Sequence, residues 1–382
     1  MKQVRLDANY NDYNHSEFPT AQDSTGISDP QANHFHKREF NAALQFQQRP
    51  VGKLQGTLGL WTNIESMTID GDQPLGPNSL TTGFAGYAFE EYVASDRTRV
   101  QAGLRYDYNR IQTNPDAASP DSVFRALDVS RLTNAVTASV GAIQEFAPGL
   151  TGSVSIARSF RAPTVQELFA NGLDAASGTY SIGSQDLGAE TGFGVDASLR
   201  ATGARFAVEV SPYLNIINDY IYGFLRGDTI QAFPVRKFAA TDARLAGFEA
   251  SVTVQPAAHL ALRASTDYVN AQDTRLNVPL PFTPPLRGLV RATYQTASAM
   301  GVVEWRGAAT QTRLGDGDTR TAGYGIVNLG AGVRIARGGR VHDIGVHCDN
   351  LLDRAYRDHL SVIKDFLPQP GRGFRLDYTL EY

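Results

Sequence analysis

Cysteine occurs once in the 382 residues, as Cys348. No disulfide can therefore close within the chain, and no cysteine-based zinc cage is available. Cys348 falls in a strand-like segment and reads as a small wall residue rather than a nucleophile. Long apolar runs are also missing: no stretch approaches the roughly 20 residues of a membrane-spanning helix. That excludes a helical membrane protein but not a β-barrel, which spreads its apolar surface over alternate positions. Charge is balanced, 35 basic against 39 acidic side chains for a net −4. With no basic stripe carrying interleaved aromatics, nucleic acid is excluded as a partner. There is no G-x-S-x-G turn, and nothing brings a serine, a histidine and an acid together, so neither an enzyme nor a cofactor is expected. No shift in composition marks a linker, and residues 1–382 read as one all-β domain.

What the chain has in abundance is strict two-residue alternation. Phe374, Leu376, Tyr378, Leu380 and Tyr382 alternate with ionisable or polar residues and end the chain on an aromatic. A strand with that period has one apolar and one polar face. The same pattern recurs in Val4-Leu6-Ala8-Tyr10, in Ala102-Leu104-Tyr106-Tyr108 and in Val327-Leu329-Ala331-Val333-Ile335. Repetition of two-faced strands is what a barrel with lipid outside and a polar lumen inside requires. Tyr10, Tyr13, Tyr92, Tyr106, Tyr108 and Tyr220 are expected in the aromatic girdles, with ring in lipid and hydroxyl in water.

Turn residues divide the chain into about sixteen strands. Short connections fall at 49–52, 95–97, 147–149, 202–204, 255–257, 296–298 and 337–339. Between them lie long ones at 14–33, 70–79, 112–130, 164–187, 224–240, 271–282, 314–321 and 357–371. Short and long connections take turns, as expected when one rim faces the periplasm and the other the outside. The first residues enter a strand at once, without the basic and apolar regions of an export signal. The expectation is the C-terminal part of a longer chain, or a truncated gene product.

Several segments carry a family resemblance. Ser159-Phe160-Arg161-Ala162-Pro163 with Glu167-Leu168 is similar to the "F-R-A-P…E-L" segment of TonB-dependent outer-membrane receptors. Leu187-Gly188-Ala189-Glu190, Tyr213-Leu214-Asn215 through Asp219-Tyr220-Ile221, and Ala246-Gly247-Phe248-Glu249 resemble later strands of that family in order. Asn350-Leu351-Leu352-Asp353 and Pro370-Gly371-Arg372, ahead of the aromatic terminus, resemble its C-terminal end.

The resemblance implies an antiparallel transmembrane β-barrel in the Gram-negative outer membrane, twenty-two strands in the family against about sixteen here. It implies a transporter: a plug domain coupled to TonB, and a scarce cargo such as a ferric siderophore, haem or zinc. Neither plug nor TonB box is seen in this sequence, so energised uptake belongs to the full-length parent. Its other partners are outer-membrane lipid and the barrel-assembly machinery, with Phe374 to Tyr382 as the assembly signal. A passive porin-like channel and a remnant without transport are the alternatives.

Residues 359–372 also resemble the zinc-uptake branch of the family, although seven histidines are few for its His-rich loops. Read as residues, Pro163 ends a strand, since it cannot donate to a ladder. Arg161 and Glu167 fall near the rim, where they can pair with one another or with loop groups. Asn350 and Asp353 are expected to satisfy local backbone, and Gly371 to supply freedom for a sharp return. The candidate metal ligands are His15, Glu17, His34 and His36, an imidazole and carboxylate set suited to zinc. Their parity divides them: His15 and Glu17 are on the polar face of the first strand, whereas His34 and His36 share parity with Phe40, Leu44 and Phe46. Unless a bulge intervenes, the pairs diverge. Replacing Tyr382 with alanine is expected to lower the yield of assembled, heat-modifiable barrel; normal yield on semi-native gels would refute the assembly role.

Overall fold

The structure, a computed structural model, describes residues 1–17, 33–71, 74–117, 123–175 and 177–382. Among the described residues, nineteen strands follow one another. They are β1 (Gln3–Glu17), β2 (Asn33–Gln47), β3 (Leu54–Asp70), β4 (Ser79–Ser95), β5 (Thr98–Thr113), β6 (Ser130–Ala147) and β7 (Leu150–Arg161). Next come β8 (Asn171–Asp174), β9 (Thr179–Ile182), β10 (Glu190–Gly203), β11 (Phe206–Ile230), β12 (Phe233–Ala257) and β13 (Leu260–Asp273). The last are β14 (Val278–Pro279), β15 (Arg287–Gln295), β16 (Ala299–Ala308), β17 (Tyr324–Arg337), β18 (Arg340–Asp349) and β19 (Gly373–Glu381). One turn of α-helix, α1 (Val165–Phe169), interrupts them. Two compact units are formed: residues 1–142, 155–195 and 215–243, and residues 143–154, 196–214 and 244–382.

In the first unit β1 to β5 pair in succession, all antiparallel. Register carries one row across all five: Leu6, Leu44, Leu60, Gly86 and Tyr106 stand side by side. Leu6, Leu60 and Tyr106 in that row are exposed. On the opposite face a second row runs Asn9, Asn41, Asn63, Gly83 and Asn109. Its amides bond across the strands: Asn41 Nδ2 donates to Asn9 Oδ1 (3.4 Å) and Asn63 Nδ2 to Asn41 Oδ1 (2.8 Å). Glu39 accepts from both Asn41 (2.8 Å) and Asn63 (3.0 Å). Lys37 lies between Glu39 (3.0 Å) and Glu65 (2.8 Å).

The second unit repeats the arrangement in β13 and β15 to β19. Leu262, Ala292, Val303, Leu329, Cys348 and Phe374 make one apolar row. The other face carries Arg291 paired with Glu304, to which Asn328 also donates. It also carries Arg334 with Asp343 and His347 with Asp377. Each buried leucine is worth about 1.5–3 kcal/mol in water, yet these rows remain uncovered while the polar side chains cross-link. A face of that size without a protein neighbour marks contact with a non-aqueous phase.

Glycine has a steric role at two kinds of position. Gly338 and Gly339, at φ +60° and +75°, make the two-residue turn between β17 and β18, a backbone that residues with a Cβ adopt only at a cost. Gly325 lies under Trp305, where a Cβ would stand 2.7 Å from the indole Nε1.

Sixteen strands have nine residues or more, while β8, β9 and β14 are short pieces within connections. Of the long connection expected at 14–33, residues 18–32 lie outside those described. Four expectations are corrected. Residues 164–187 are structured, holding α1 and the β8–β9 hairpin, and β9 adds in parallel to β12 at Val235–Lys237. Residues 224–240 are not a loop: β11 and β12 run through them to a tip at Gln231 and Ala232, both at positive φ. Pro234 is the second residue of β12, where its missing N–H is tolerated. At 25 residues each, these strands extend about 80 Å, well beyond the roughly 9–11 residues that a bilayer needs. Tyr13 is opposite Lys37 and its ring lies 5.3 Å from His15. It therefore shares the polar face, and only its even-numbered neighbour Tyr10 lies in the apolar row. The turn expected at 255–257 falls instead just after β12, since Pro256 is still within that strand.

Leu60→Arg places a charge in the middle of the apolar row. It is expected to cost about 2–4 kcal/mol of folding free energy in lipid, read by denaturant titration in phospholipid vesicles. Asn41→Arg on the other face is the control, with a smaller change.

Candidate functional site

The end of β7 and the segment after it make a polar centre in the first unit. Pro163 stands two residues past the end of β7 and Thr164 caps α1. Thr164 Oγ1 accepts from the Glu167 amide (3.2 Å) and Glu167 Oε2 accepts from the Thr164 amide (2.8 Å), a reciprocal cap that stabilises even a single turn. Glu167 Oε2 also accepts from Arg161 Nη1 at 2.8 Å. The rest of the Arg161 fork grips Glu190 at the start of β10, Nε to Oε2 at 2.9 Å and Nη2 to Oε1 at 2.6 Å. Glu190 Oε1 then accepts the backbone N–H of Ile221 on β11 (2.7 Å). One guanidinium thus joins β7, α1, β10 and β11 with the bidentate geometry that a lysine could not supply. Phe160, beside this centre, is half-buried.

Apolar packing sets the height of the segment. Leu168 and Phe169 are buried with Ile111, Leu187 and Ile221, while Ala170 packs with Phe35 and Leu75. The chain returning from β9 lies against α1: Gly183 N donates to Ala170 O (2.7 Å) and Ser184 N to Glu167 O (2.8 Å). A Cβ on Gly183 would sit 2.5 Å from the Phe169 nitrogen. No local sequence signal pointed to Gly183, because its requirement arises from contact with backbone over ten residues away. Beside these clusters is a cleft of about 450 Å³, lined by Phe35, Met67, Ile69, Leu75, Pro163 and Val165, with Glu65, Asn109 and Gln166 among its polar groups. Such a mostly apolar concavity with a few polar groups suits a small ligand with an apolar body.

The four candidate metal ligands occupy two faces. Ser16 is opposite His34 and Asn14 opposite His36, while His15 is opposite Phe35 and Glu17 opposite Asn33. His15 Nε2 is 3.4 Å from Glu17 Oε1, and its ring stacks on Phe35 at 4.5 Å. His34 Nδ1 is 2.7 Å from Ser16 Oγ, and His36 Nε2 is 2.8 Å from Asp12 Oδ1. The ladder therefore unites His15 with Glu17 and separates them from His34 and His36. Among the described residues no group of three or more His, Cys, Asp or Glu is placed to hold a metal ion.

In the second unit, the C-terminal motifs form one knot. Asn350, at φ +48°, donates through Nδ2 to the carbonyls of Arg354 (2.9 Å) and Pro370 (3.4 Å) and accepts from the Arg354 amide (3.0 Å). Asp353 Oδ1 accepts from the Arg372 amide at 2.8 Å. A Cβ at Gly371 would be 2.8 Å from that same oxygen. Gly371 is not among the positive-φ glycines, so its role is room beside Asp353 and not unusual φ. Glu249 is exposed on β12, two residues from Gly247, where the absence of a Cβ admits the Tyr213 ring (2.5 Å to Oη). Phe374, Leu376, Tyr378 and Leu380 are opposite Cys348, Val346, Ile344 and His342, and Tyr382 follows β19 almost fully exposed.

These features define a class first: two-faced strands of a membrane β-barrel, with a loop segment fastened by an Arg–Glu–Glu centre. Residues 2–351 match the family model of TonB-dependent receptor-like β-barrels, and the chain belongs to that family. Among solved structures, the copper transporter OprC is similar over 99% of this chain and 62% of its own, with 20% identity and a TM-score of 0.83. The FrpB iron transporter from Neisseria meningitidis shares 16% identity over 97% of this chain and 59% of its own, with a TM-score of 0.72. The ferric-catecholate import receptor Fiu from E. coli K12 shares 15% identity over 99% and 60%, with a TM-score of 0.67. The chain spans about three-fifths of the length of these proteins.

Glu190→Gln keeps the side-chain shape but removes the charge facing Arg161. It is expected to destabilise the first unit by about 2–3 kcal/mol and to speed hydrogen exchange at the Ile221 amide. Unchanged protection at Ile221 would show that the centre does not hold β10 to β11.

Proposed function

We propose that this chain forms the barrel wall of a Gram-negative outer-membrane receptor that takes up a scarce metal or metal complex, driven through TonB in the full-length protein. The observation that carries the reading is the exposed apolar row backed by a hydrogen-bonded polar row, in a member of the TonB-dependent receptor family. Neighbours named as copper, iron and ferric-catecholate transporters support a metal or its chelate as cargo. Ferric siderophore, haem and zinc all remain within that class. Residues 1–382 are read as one barrel domain, with outer-membrane lipid around it and the barrel-assembly machinery engaging Phe374 to Tyr382.

For a metal cargo, His15 and Glu17 are the proposed contacts. Their support is the shared inner face and two buried atoms, His15 Nδ1 and Glu17 Oε2, that have no hydrogen-bond partner. His34 and His36, on the other face, are assigned to the barrel rim. The cleft beside α1 would take the apolar part of a chelate.

The test is accumulation of radiolabelled iron chelates, copper and zinc in native cells with the gene intact or deleted, each with and without TonB. Loss of one cargo on deletion, and the same loss without TonB, is expected. Uptake that depends on the gene but not on TonB would replace this reading with a passive channel.

A further inference from the structure

The cleft beside α1 lies wholly within the first unit, and Glu65 is the one ionisable side chain among the described residues that line it. Charge around the cleft leans one way on each side. Beside Glu65 a single ammonium, Lys37, serves two carboxylates, Glu65 at 2.8 Å and Glu39 at 3.0 Å. Next to the lining segment 162–166 a single guanidinium, Arg161, serves both Glu167 and Glu190. Against Phe35 stacks His15, whose Nε2 is 3.4 Å from Glu17, a pair that is neutral or negative in either state of the imidazole. Amide donors on the same inner face are already committed, since Asn41 and Asn63 donate to Glu39 (2.8 and 3.0 Å).

Resting on the reading of this cleft as a ligand site, we propose that it takes a small ligand whose apolar body carries a positive charge, held against Glu65, and that it disfavours anionic chelates.

Two of the three groups hold one acid in excess of base, and the third adds no positive excess, so the field inside the cleft is negative. Low-dielectric walls concentrate such a field in a concavity. The apolar lining, with Phe35, Met67, Ile69, Leu75, Ile111 and Val165, accounts for the body of the ligand. A cationic group at Glu65 gains a charge-assisted contact. Asn109, Gln166 and Thr81, which also line the cleft, supply acceptor oxygens for its remaining hydrogens. A carboxylate or catecholate in the same place meets Glu65 with no cation among the lining residues to pair with it. Like charges brought together in this way reject a wrong partner.

Phenylbutylamine, phenylbutanol and phenylbutyrate share one apolar body and differ in charge. Their dissociation constants for the full chain in a non-ionic detergent, at about pH 7.5 where the amine and the acid are both ionised, test the proposal. Gly76 lines the cleft outside the positive-φ region, and the nearest atom to a Cβ there is 3.7 Å away, on Ile69. Gly76→Leu therefore fills space without backbone strain, and the binding it removes is cleft binding as distinct from partition into micelles. In that fraction the amine is expected to bind at least about fivefold tighter than the butyrate, with the alcohol between them. Glu65→Gln should shrink the ratio at least about threefold, and Gln166→Lys, at an exposed position, should shrink it as well. If E65Q does not assemble, as judged on semi-native gels, Q166K decides. A butyrate that binds as tightly as the amine, an unchanged ratio in the assembled variants, or no binding sensitive to Gly76→Leu overturns the proposal. The measurement involves neither TonB nor a metal. Its failure leaves TonB-driven uptake standing, and uptake that does not depend on the gene leaves the charge preference of the cleft standing.

Discussion

Every backbone N–H and C=O in a strand at membrane depth has to find a partner in a neighbouring strand, because hydrocarbon offers none. The rest of this structure depends on that constraint. It forces long antiparallel ladders, and the ladders force alternate side chains to opposite faces. In β1 to β5 the register keeps even-numbered residues together across all five strands, so Leu6, Leu44, Leu60 and Tyr106 align on one side. Asn9, Asn41 and Asn63 align on the other. A one-residue slip in any pairing would put amides into lipid and leucines into the lumen. The asparagine row opposes such a slip, since its side-chain hydrogen bonds exist in one register only.

The connections obey a different physics. Beyond the wall, strands are free of the lipid constraint, and polar groups are satisfied through local centres. Arg161 gathers Glu167 and Glu190, Asn350 with Asp353 secures the approach to the last strand, and Asp318 with His359 joins the connections leading to β15, β17 and β19. Each places charge or a strong dipole in a poorly solvated spot and surrounds it with fixed partners. Such centres contribute definition of shape more than net stability, because desolvation offsets much of the attraction. The apolar clusters around Leu168 and Phe35 supply the packing that keeps them assembled.

Much of the wall was legible in the sequence because its signal is local and periodic. The number of long strands and the apolar face of the last one follow from residue order and type. What escaped depended on distant chain. The hairpin of β11 and β12 carries turn-forming residues that read as a loop until strand pairing overrides them. Tyr13 was grouped with the girdle by residue type, and parity places it beside His15 instead. Gly371 was read for its conformational freedom, whereas its neighbour Asp353 accounts for it. The burial of His359 could not be inferred from a chain segment that contains no apolar period around it.

The sequence by itself determined a two-faced all-β chain, because a period of two is written residue by residue and needs no partner to be read; the likeness to TonB-dependent receptors rested on the separate motifs around Arg161 and Asn350. Only the tertiary structure decided that Glu190 closes the Arg161 centre and that Asp318 meets His359. Those outcomes depend on register and on loop packing, which bring together residues tens of positions apart and which no local pattern encodes.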